Sequence, residues 1–339
     1  LSSSKYSRQE LFAPIGEEGQ KRIREAKVFI LGAGALGSSG AEMLVRAGVG
    51  QITIVDRDII EWTNLHRQQL YTEQDVVDQL PKAAAAERRL KAINSDVDIT
   101  GIVTDVTPQN IMELIDGHDI VLDATDNIET RLIANDAALK LGIPFFMGAC
   151  VGSYGLTFPI GIQDDQPCLH CLLEALPSQT MTCDTVGVIS PIVVTTAARQ
   201  AADVLKYLTG ADFEPKLESA DLWTGDRASM NVASMKKAGC PSCSENAVYP
   251  FLSARESMRT AVLCGRETVQ LSWPEGRTFD PLAFAESIHG TTTNLVKNEH
   301  LVACEYKGHR VVLFRDGRML IHGTKEVVTA KKIAAGLLG

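Results

Sequence analysis

The sequence predicts an α/β protein, a mostly parallel sheet flanked by helices, with a four-cysteine zinc site and a small C-terminal α+β domain. Two observations carry that expectation. Apolar strand-like runs alternate with helical patterns through the first half of the chain, the rhythm of an open sheet covered by helices. Two CxxC pairs, Cys168-Leu169-His170-Cys171 and Cys240-Pro241-Ser242-Cys243, have the spacing of a closed tetrahedral zinc site.

Element by element, a short helix over 17–26 leads into a strand at 27–31. A glycine-rich turn, a small-residue helix at 35–47 and a strand at 51–55 ending on Asp56 complete a βαβ unit. Residues 81–93 predict a helix, with Pro81 at its first turn and Ala, Glu, Arg and Leu filling it. Strands are expected at 98–103, 119–122 and 144–149, with a helix at 129–141 before the last. Between Cys168 and Cys243 the pattern loosens, apart from a helix near 191–208. Residues 1–247 are therefore expected to form one domain and 248–339 a second. In the latter, strands at 268–272 and 301–306 precede a hairpin at 310–322 turning on Arg315-Asp316-Gly317-Arg318, and a final helix covers 327–335.

Composition sets limits on function. The chain has 339 residues, 45% hydrophobic and 22% charged, with a formal net charge of -9. An acidic balance argues against a dedicated nucleic-acid binder, which carries a basic surplus or face. No 18-residue apolar run suggests a membrane span, and the opening LSSSKYSRQELF has no apolar run of a secretory signal. A cytoplasmic protein is expected, in which paired cysteines point to metal before disulfides.

The loop Gly32-Ala33-Gly34-Ala35-Leu36-Gly37 lies between strand and helix, making the sheet Rossmann-like. Gly32 permits the tight turn, Gly34 the approach of phosphate and Gly37 close helix–sheet contact. Asp56 ends the next strand, where a carboxylate can accept from ribose hydroxyls. These features alone fit an NAD-dependent dehydrogenase, because such a loop barely separates NAD from ATP. Arg67 and Lys82 shift the balance, since a fork and a mobile ammonium suit triphosphate oxygens better than hydride transfer. Asp126, in Asp123-Ala124-Thr125-Asp126-Asn127 beyond a strand end, suits Mg²⁺; the alternative makes Asp126-Asn127 a helix cap.

Together with Asp56-Arg57-Asp58 and Asn64-Leu65-His66-Arg67-Gln68, these motifs resemble the ThiF/MoeB/E1 superfamily, the activating enzymes of ubiquitin-like proteins, over roughly residues 5–247. Length and the extra C-terminal segment look most similar to its bacterial ThiF branch. The resemblance implies adenylation, with ATP and Mg²⁺, of the Gly-Gly carboxylate of a ubiquitin-like sulfur carrier, ThiS-like for thiamine thiazole synthesis or MoaD-like for molybdopterin. It implies Asp56 on the ribose, Asn64 orienting the triphosphate, Arg67 and Lys82 on the phosphates and Asp126 on the metal. It also implies a homodimer in which Arg8, in Tyr6-Ser7-Arg8-Gln9, reaches the partner's site. Two other classes stay open, the dehydrogenase and a non-catalytic carrier-binding scaffold.

The remaining cysteines divide. Cys183 resembles the family cysteine implicated in covalent linkage to the carrier, the alternative being a stray thiol. Cys150, Cys264 and Cys304 lie in or near apolar runs and are expected in the core, and His170 is expected to stand outside the metal's four sulfurs. No rhodanese-like domain is apparent, so sulfur is expected from a separate donor such as a cysteine desulfurase.

Overall fold

The computed structural model describes residues 5–175, 186–212, 214–253, 260–262, 267–272 and 278–338. The chain divides into two units, Leu1–Glu73 with Lys82–Ala254, and Gln74–Pro81 with Arg255–Gly339.

In the first unit, short helix α1 (Ser7–Glu10) and α2 (Gly16–Glu25) precede β1 (Lys27–Leu31), α3 (Ala35–Ala47) and β2 (Gln51–Asp56). After α4 (Glu73–Val77), which leads out of the unit, come α5 (Lys82–Ile93), β3 (Asp98–Val103), α6 (Ile111–Ile115), β4 (Ile120–Asp123) and α7 (Ile128–Leu141). Then follow β5 (Phe145–Val151), β6 (Tyr154–Ile160), α8 (Leu169–Ala175), α9 (Ser190–Thr209), β7 (Leu217–Asp221) and β8 (Arg227–Met230). Local chemistry ends the long helices: Gly48, Gly142 and Gly210 close α3, α7 and α9 in the left-handed conformation, which costs glycine little. Asn127 starts α7 by accepting from Thr130 N at 2.8 Å, so the capping role expected near Asp126 belongs to its neighbour.

The strands form one sheet in the order β3-β2-β1-β4-β5-β6-β7-β8. Those from β3 to β5 pair in parallel and those from β5 to β8 antiparallel. β1 and β4 are buried almost throughout, as parallel strands covered on both faces must be. The order reverses between β1 and β4, and open α/β sheets bind ligands at the carboxyl ends of strands at such a point. The loosened pattern between the cysteine pairs conceals β7 and β8. Every residue of β8 is exposed and β7 is mostly half-buried, so neither carries an apolar alternation.

The second unit contains a six-stranded antiparallel sheet among its described residues, in the order β11 (Thr293–Lys297), β12 (Leu301–Tyr306), β13 (His309–Phe314), β14 (Met319–His322), β10 (Thr268–Leu271) and β9 (Thr260–Val262). Helices α10 (Pro281–Ile288) and α11 (Val327–Leu338) contribute Ala285, Ile288, Ala330, Ile333 and Leu337 to a core with Val269, Val302, Val311 and Ile321. Cys304 is buried in that core, as expected. The segment Gln74–Pro81 belongs to this unit although the chain before and after it belongs to the first.

Candidate nucleotide site and metal centre

The three loop glycines answer to different demands. Gly32 has φ +100, and a Cβ there would sit 2.9 Å from Ala124 O; one on Gly37 would sit 1.8 Å from Gly32 O. The fold itself requires both. Gly34 is the N-cap of α3, and a Cβ there would meet only Gln68 Nε2, at 3.9 Å. Among the described residues nothing forbids a side chain at Gly34, and a helix N-terminus is a place where phosphate can approach the backbone. Gly37→Ala is accordingly expected to unfold or severely destabilise the protein. Gly34→Ala should keep its melting midpoint within about 2 °C and weaken nucleotide binding about tenfold or more; unchanged binding by calorimetry would refute the assignment.

Asp56 holds this loop in place. One carboxylate oxygen accepts from Ala33 N at 2.7 Å and the other from Asp58 N at 2.7 Å. Burial pushes its carboxyl up, with Lys82 the chief opposing charge. Tyr71, which sequence reasoning missed, donates its hydroxyl to Ala33 O at 2.6 Å, with Lys82 O also within 3.2 Å. It thereby ties the loop to the start of α5. Gln68 is 4% exposed, and its buried Oε1 has no hydrogen-bond partner among the described residues.

A buried cation and a half-buried one face the same end of the sheet. Lys82, 5% exposed, donates to Asp58 Oδ2 at 3.0 Å, and its backbone N–H donates to Asp58 O at 2.9 Å. Burial works against its charge, yet Asp58, Asp56 and Asp126 outweigh burial and hold it above its ordinary range. The other cation is Arg57, 3.1 Å from Asp105. It too is held charged against burial by Asp105, Asp58 and Asp126. Sequence reasoning quoted Arg57 in a motif without assigning it a role. The acceptor that fixes it, Asp105, lies beyond β3, and no local spacing reveals it.

Arg67 is half-buried, with Nη1 donating to Thr63 O at 2.7 Å. Asn64 is buried, and its Oδ1 accepts from Glu61 N at 3.0 Å within a capping box, so it shapes the turn that carries Arg67. Asp126 is exposed just beyond β4. Its turn is anchored from beneath by Arg131 and Asp123, 2.7 Å apart and 6% and 0% exposed. Arg131 also donates to Thr125 O at 2.6 Å and Gly148 O at 2.8 Å. Arg8 is exposed on α1. Cys183 and Cys264 lie outside the described residues, and Cys150, expected in the core, is only half-buried beside Ala35 and Ala124.

The four knuckle cysteines converge. Their sulfurs lie within 4.8 Å of one another, with separations of 3.9 Å for Cys168–Cys171, 3.7 Å for Cys168–Cys240 and 3.6 Å for Cys171–Cys243. A zinc ion about 2.3 Å from four tetrahedral sulfurs requires about 3.8 Å between them, so the donor set fits structural zinc. His170 contributes from outside the sulfurs, its Nδ1 3.0 Å from Ser242 Oγ. Cys168, Cys171 and Cys240 are themselves part of the main core with Phe145 and Phe158.

Topology and charge define the class: an α/β nucleotide-binding protein whose switch point presents a glycine cradle, a buried lysine and an acidic turn. Within that class the chain belongs to the ThiF family, whose model matches residues 6–242, as the motifs led one to expect. It is 55% identical over 331 residues to the sulfur carrier protein ThiS adenylyltransferase of Bacillus subtilis (strain 168), covering 98% of each chain. It is 30% identical over 243 residues to the molybdopterin-synthase adenylyltransferase of Salmonella typhimurium (strain LT2), covering 71% of this chain and 96% of that one. Among solved structures, E. coli MccB with ATP shares the fold with a TM-score of 0.61 at 23% identity, over 71% of this chain and 75% of that one. Among the described residues no helix is long and apolar enough to cross a membrane.

Proposed function

We propose that this chain adenylates the C-terminal Gly-Gly carboxylate of a ThiS-like, ubiquitin-fold sulfur carrier with Mg-ATP, for thiamine-thiazole sulfur transfer. The observation that carries this reading is the pairing of the glycine cradle with Lys82, held charged although buried, in a chain 55% identical to a ThiS adenylyltransferase. The carboxylate attacks the α-phosphorus in line, pyrophosphate leaves, and an acyl-adenylate remains. The carboxylate is an adequate nucleophile at neutral pH, so catalysis consists of alignment and charge neutralisation rather than base chemistry.

In this proposal the N-terminus of α3 and Gly34 receive phosphate, Asp56 the ribose, and Arg67 with Lys82 the triphosphate charge, while Asn64 keeps Arg67 in place. Asp126 holds Mg²⁺, which supplies charge neutralisation at the phosphates, and zinc is structural. Residues 1–247 serve as the adenylating domain and 248–339 as an accessory domain. The protein acts in the cytoplasm as a homodimer with Arg8 crossing to the partner, Cys183 forms the covalent link to the carrier, and a separate cysteine desulfurase supplies sulfur. A dehydrogenase would leave Arg67, Lys82 and Asp126 without a task.

The test is ATP–pyrophosphate exchange with purified Gly-Gly-ended carriers, a ThiS-type beside a MoaD-type. Exchange with the ThiS-type alone fits the proposal, and exchange with the MoaD-type alone moves the chain to molybdopterin synthesis. No exchange with either rejects adenylation of these carriers.

A further inference from the structure

Helix α7 buries two adjacent polar side chains, Asn135 and Asp136, both 0% exposed. Burying an amide and a carboxylate is costly unless their polar atoms are paired, and the partners here come from the two cysteine knuckles and the chain beside them. Asn135 Oδ1 accepts from Leu169 N at 3.0 Å, inside the first knuckle, and its Nδ2 donates to Asp136 Oδ1 at 3.2 Å. Asp136 Oδ2 accepts from Phe251 N at 3.0 Å. Phe251 lies on the chain leaving the second knuckle, which folds back on it: Val248 N and Tyr249 N both donate to Pro241 O, at 2.9 and 3.1 Å. Burial pushes the Asp136 carboxyl up, against hydrogen bonds from Ser242, inside the second knuckle, and from Phe251 and Asn135. Successive helix residues point about 100° apart, so the pair reaches two separate segments at once.

The circuit closes without passing through a sulfur. Ser242 Oγ lies 3.0 Å from His170 Nδ1 in the first knuckle, and the His170 ring packs edge-on against Phe251, centroids 5.2 Å apart. Knuckles 72 positions apart in sequence are thus joined by a buried chain of hydrogen bonds that runs through α7, and every member belongs to the first unit. A metal site assembled before the ion arrives loses less binding free energy to ordering the chain. We propose that Asn135 and Asp136 are positioning residues for the metal: they hold the two knuckles at the separation at which four sulfurs enclose one zinc ion. The inference rests on the zinc reading of the sulfur cluster and not on the identity of the carrier.

The experiment measures the zinc affinity of the full chain by competition with a chromophoric chelator, beside the visible absorption of the cobalt(II)-loaded protein, whose intensity reports tetrahedral geometry. Asn135→Ala and Asp136→Ala should each bind zinc about 10–100-fold more weakly, with a weakened cobalt spectrum. Asp136→Asn, which keeps an acceptor oxygen, should recover part of the loss. Arg131→Met is a destabilising change one turn away on the same helix, at a residue whose partners are Asp123, Thr125 and Gly148 rather than the knuckles. It should keep wild-type zinc affinity. Wild-type affinity in both alanine variants would overturn the inference, as would an equal loss in Arg131→Met, because affinity would then follow overall stability. Should the alanine variants fail to fold, Ser242→Ala decides in their place by removing one hydroxyl from the same chain of bonds. Zinc bound about fivefold more weakly is then expected, and unchanged affinity overturns the inference. A wild-type chain that binds no zinc would overturn the zinc reading and this inference together, whereas variants that match a zinc-binding wild type would overturn this inference alone.

Discussion

Asp126→Ala should lower ATP–pyrophosphate exchange by about two orders of magnitude or more, while zinc content and melting midpoint stay at wild-type values. The separation follows from placement. Asp126 is exposed beyond the end of β4, so truncating it uncovers no core, and the sulfur cluster belongs to a different part of the unit. Its charge nevertheless acts on both Arg57 and Lys82, and on the proposed role of Lys82 it would stand beside the magnesium–phosphate complex. A hard cation that keeps several waters needs only one or two carboxylates from the protein, so loss of one is not made good by neighbours. Persistence of exchange would remove Asp126 from the metal. The same variant tests Arg8: mixing inactive Arg8→Ala and Asp126→Ala proteins should restore part of the activity, because some mixed dimers hold one complete site. Verified heterodimers without activity would show that Arg8 does not act across the dimer.

Arg131→Met should lower stability by about 3–5 kcal/mol, because it leaves the Asp123 carboxylate buried without its cation. Asp123 keeps its bonds from Thr125 N and Oγ1, at 3.0 and 2.7 Å, but these do not neutralise it. Burial pushes its carboxyl above the ordinary range, and Arg131 is the foremost group holding it down. Without Arg131 the native state takes up a proton at a pH where the unfolded chain has lost it. Native protein then binds more protons than unfolded protein, and stability falls as pH rises. The variant's deficit, read from urea midpoints, should therefore be larger at about pH 8 than at about pH 5. Equal deficits would mean that Asp123 is not the source of the cost.

What the sequence disclosed and what it hid follow the range of the interactions concerned. The glycine loop, the Asp56 strand end, Lys82 and the paired cysteines were legible because each is a short-range pattern whose spacing is set by one turn or one helix. Arg131 carries no such pattern. It reads as an ordinary surface helix residue until Asp123, Thr125 and Gly148 are brought around it by three separate elements. Gln200 is similar: on α9 it donates to Asp123 O and Phe146 O, contacts that no window of sequence contains. The strands β7 and β8 were hidden because exposed pairing leaves no hydrophobic alternation. The Gln74–Pro81 excursion was hidden because its membership in the second unit depends on residues more than two hundred positions away.

The metal centre has a consequence for the chain as a polymer. Cys168 and Cys240, 72 positions apart, become the two ends of a ring that contains α9, β7 and β8. In the chain-entropy picture a cross-link of this span removes about 4 kcal/mol of freedom from the denatured ensemble. The dependence on ring size is logarithmic, so doubling the enclosed length adds only about 0.6 kcal/mol to the closure cost. Closure of this ring is therefore insensitive to the length of the connections that join α9, β7 and β8 within it, so those connections can lengthen at little cost while the helix and the two strands keep their places.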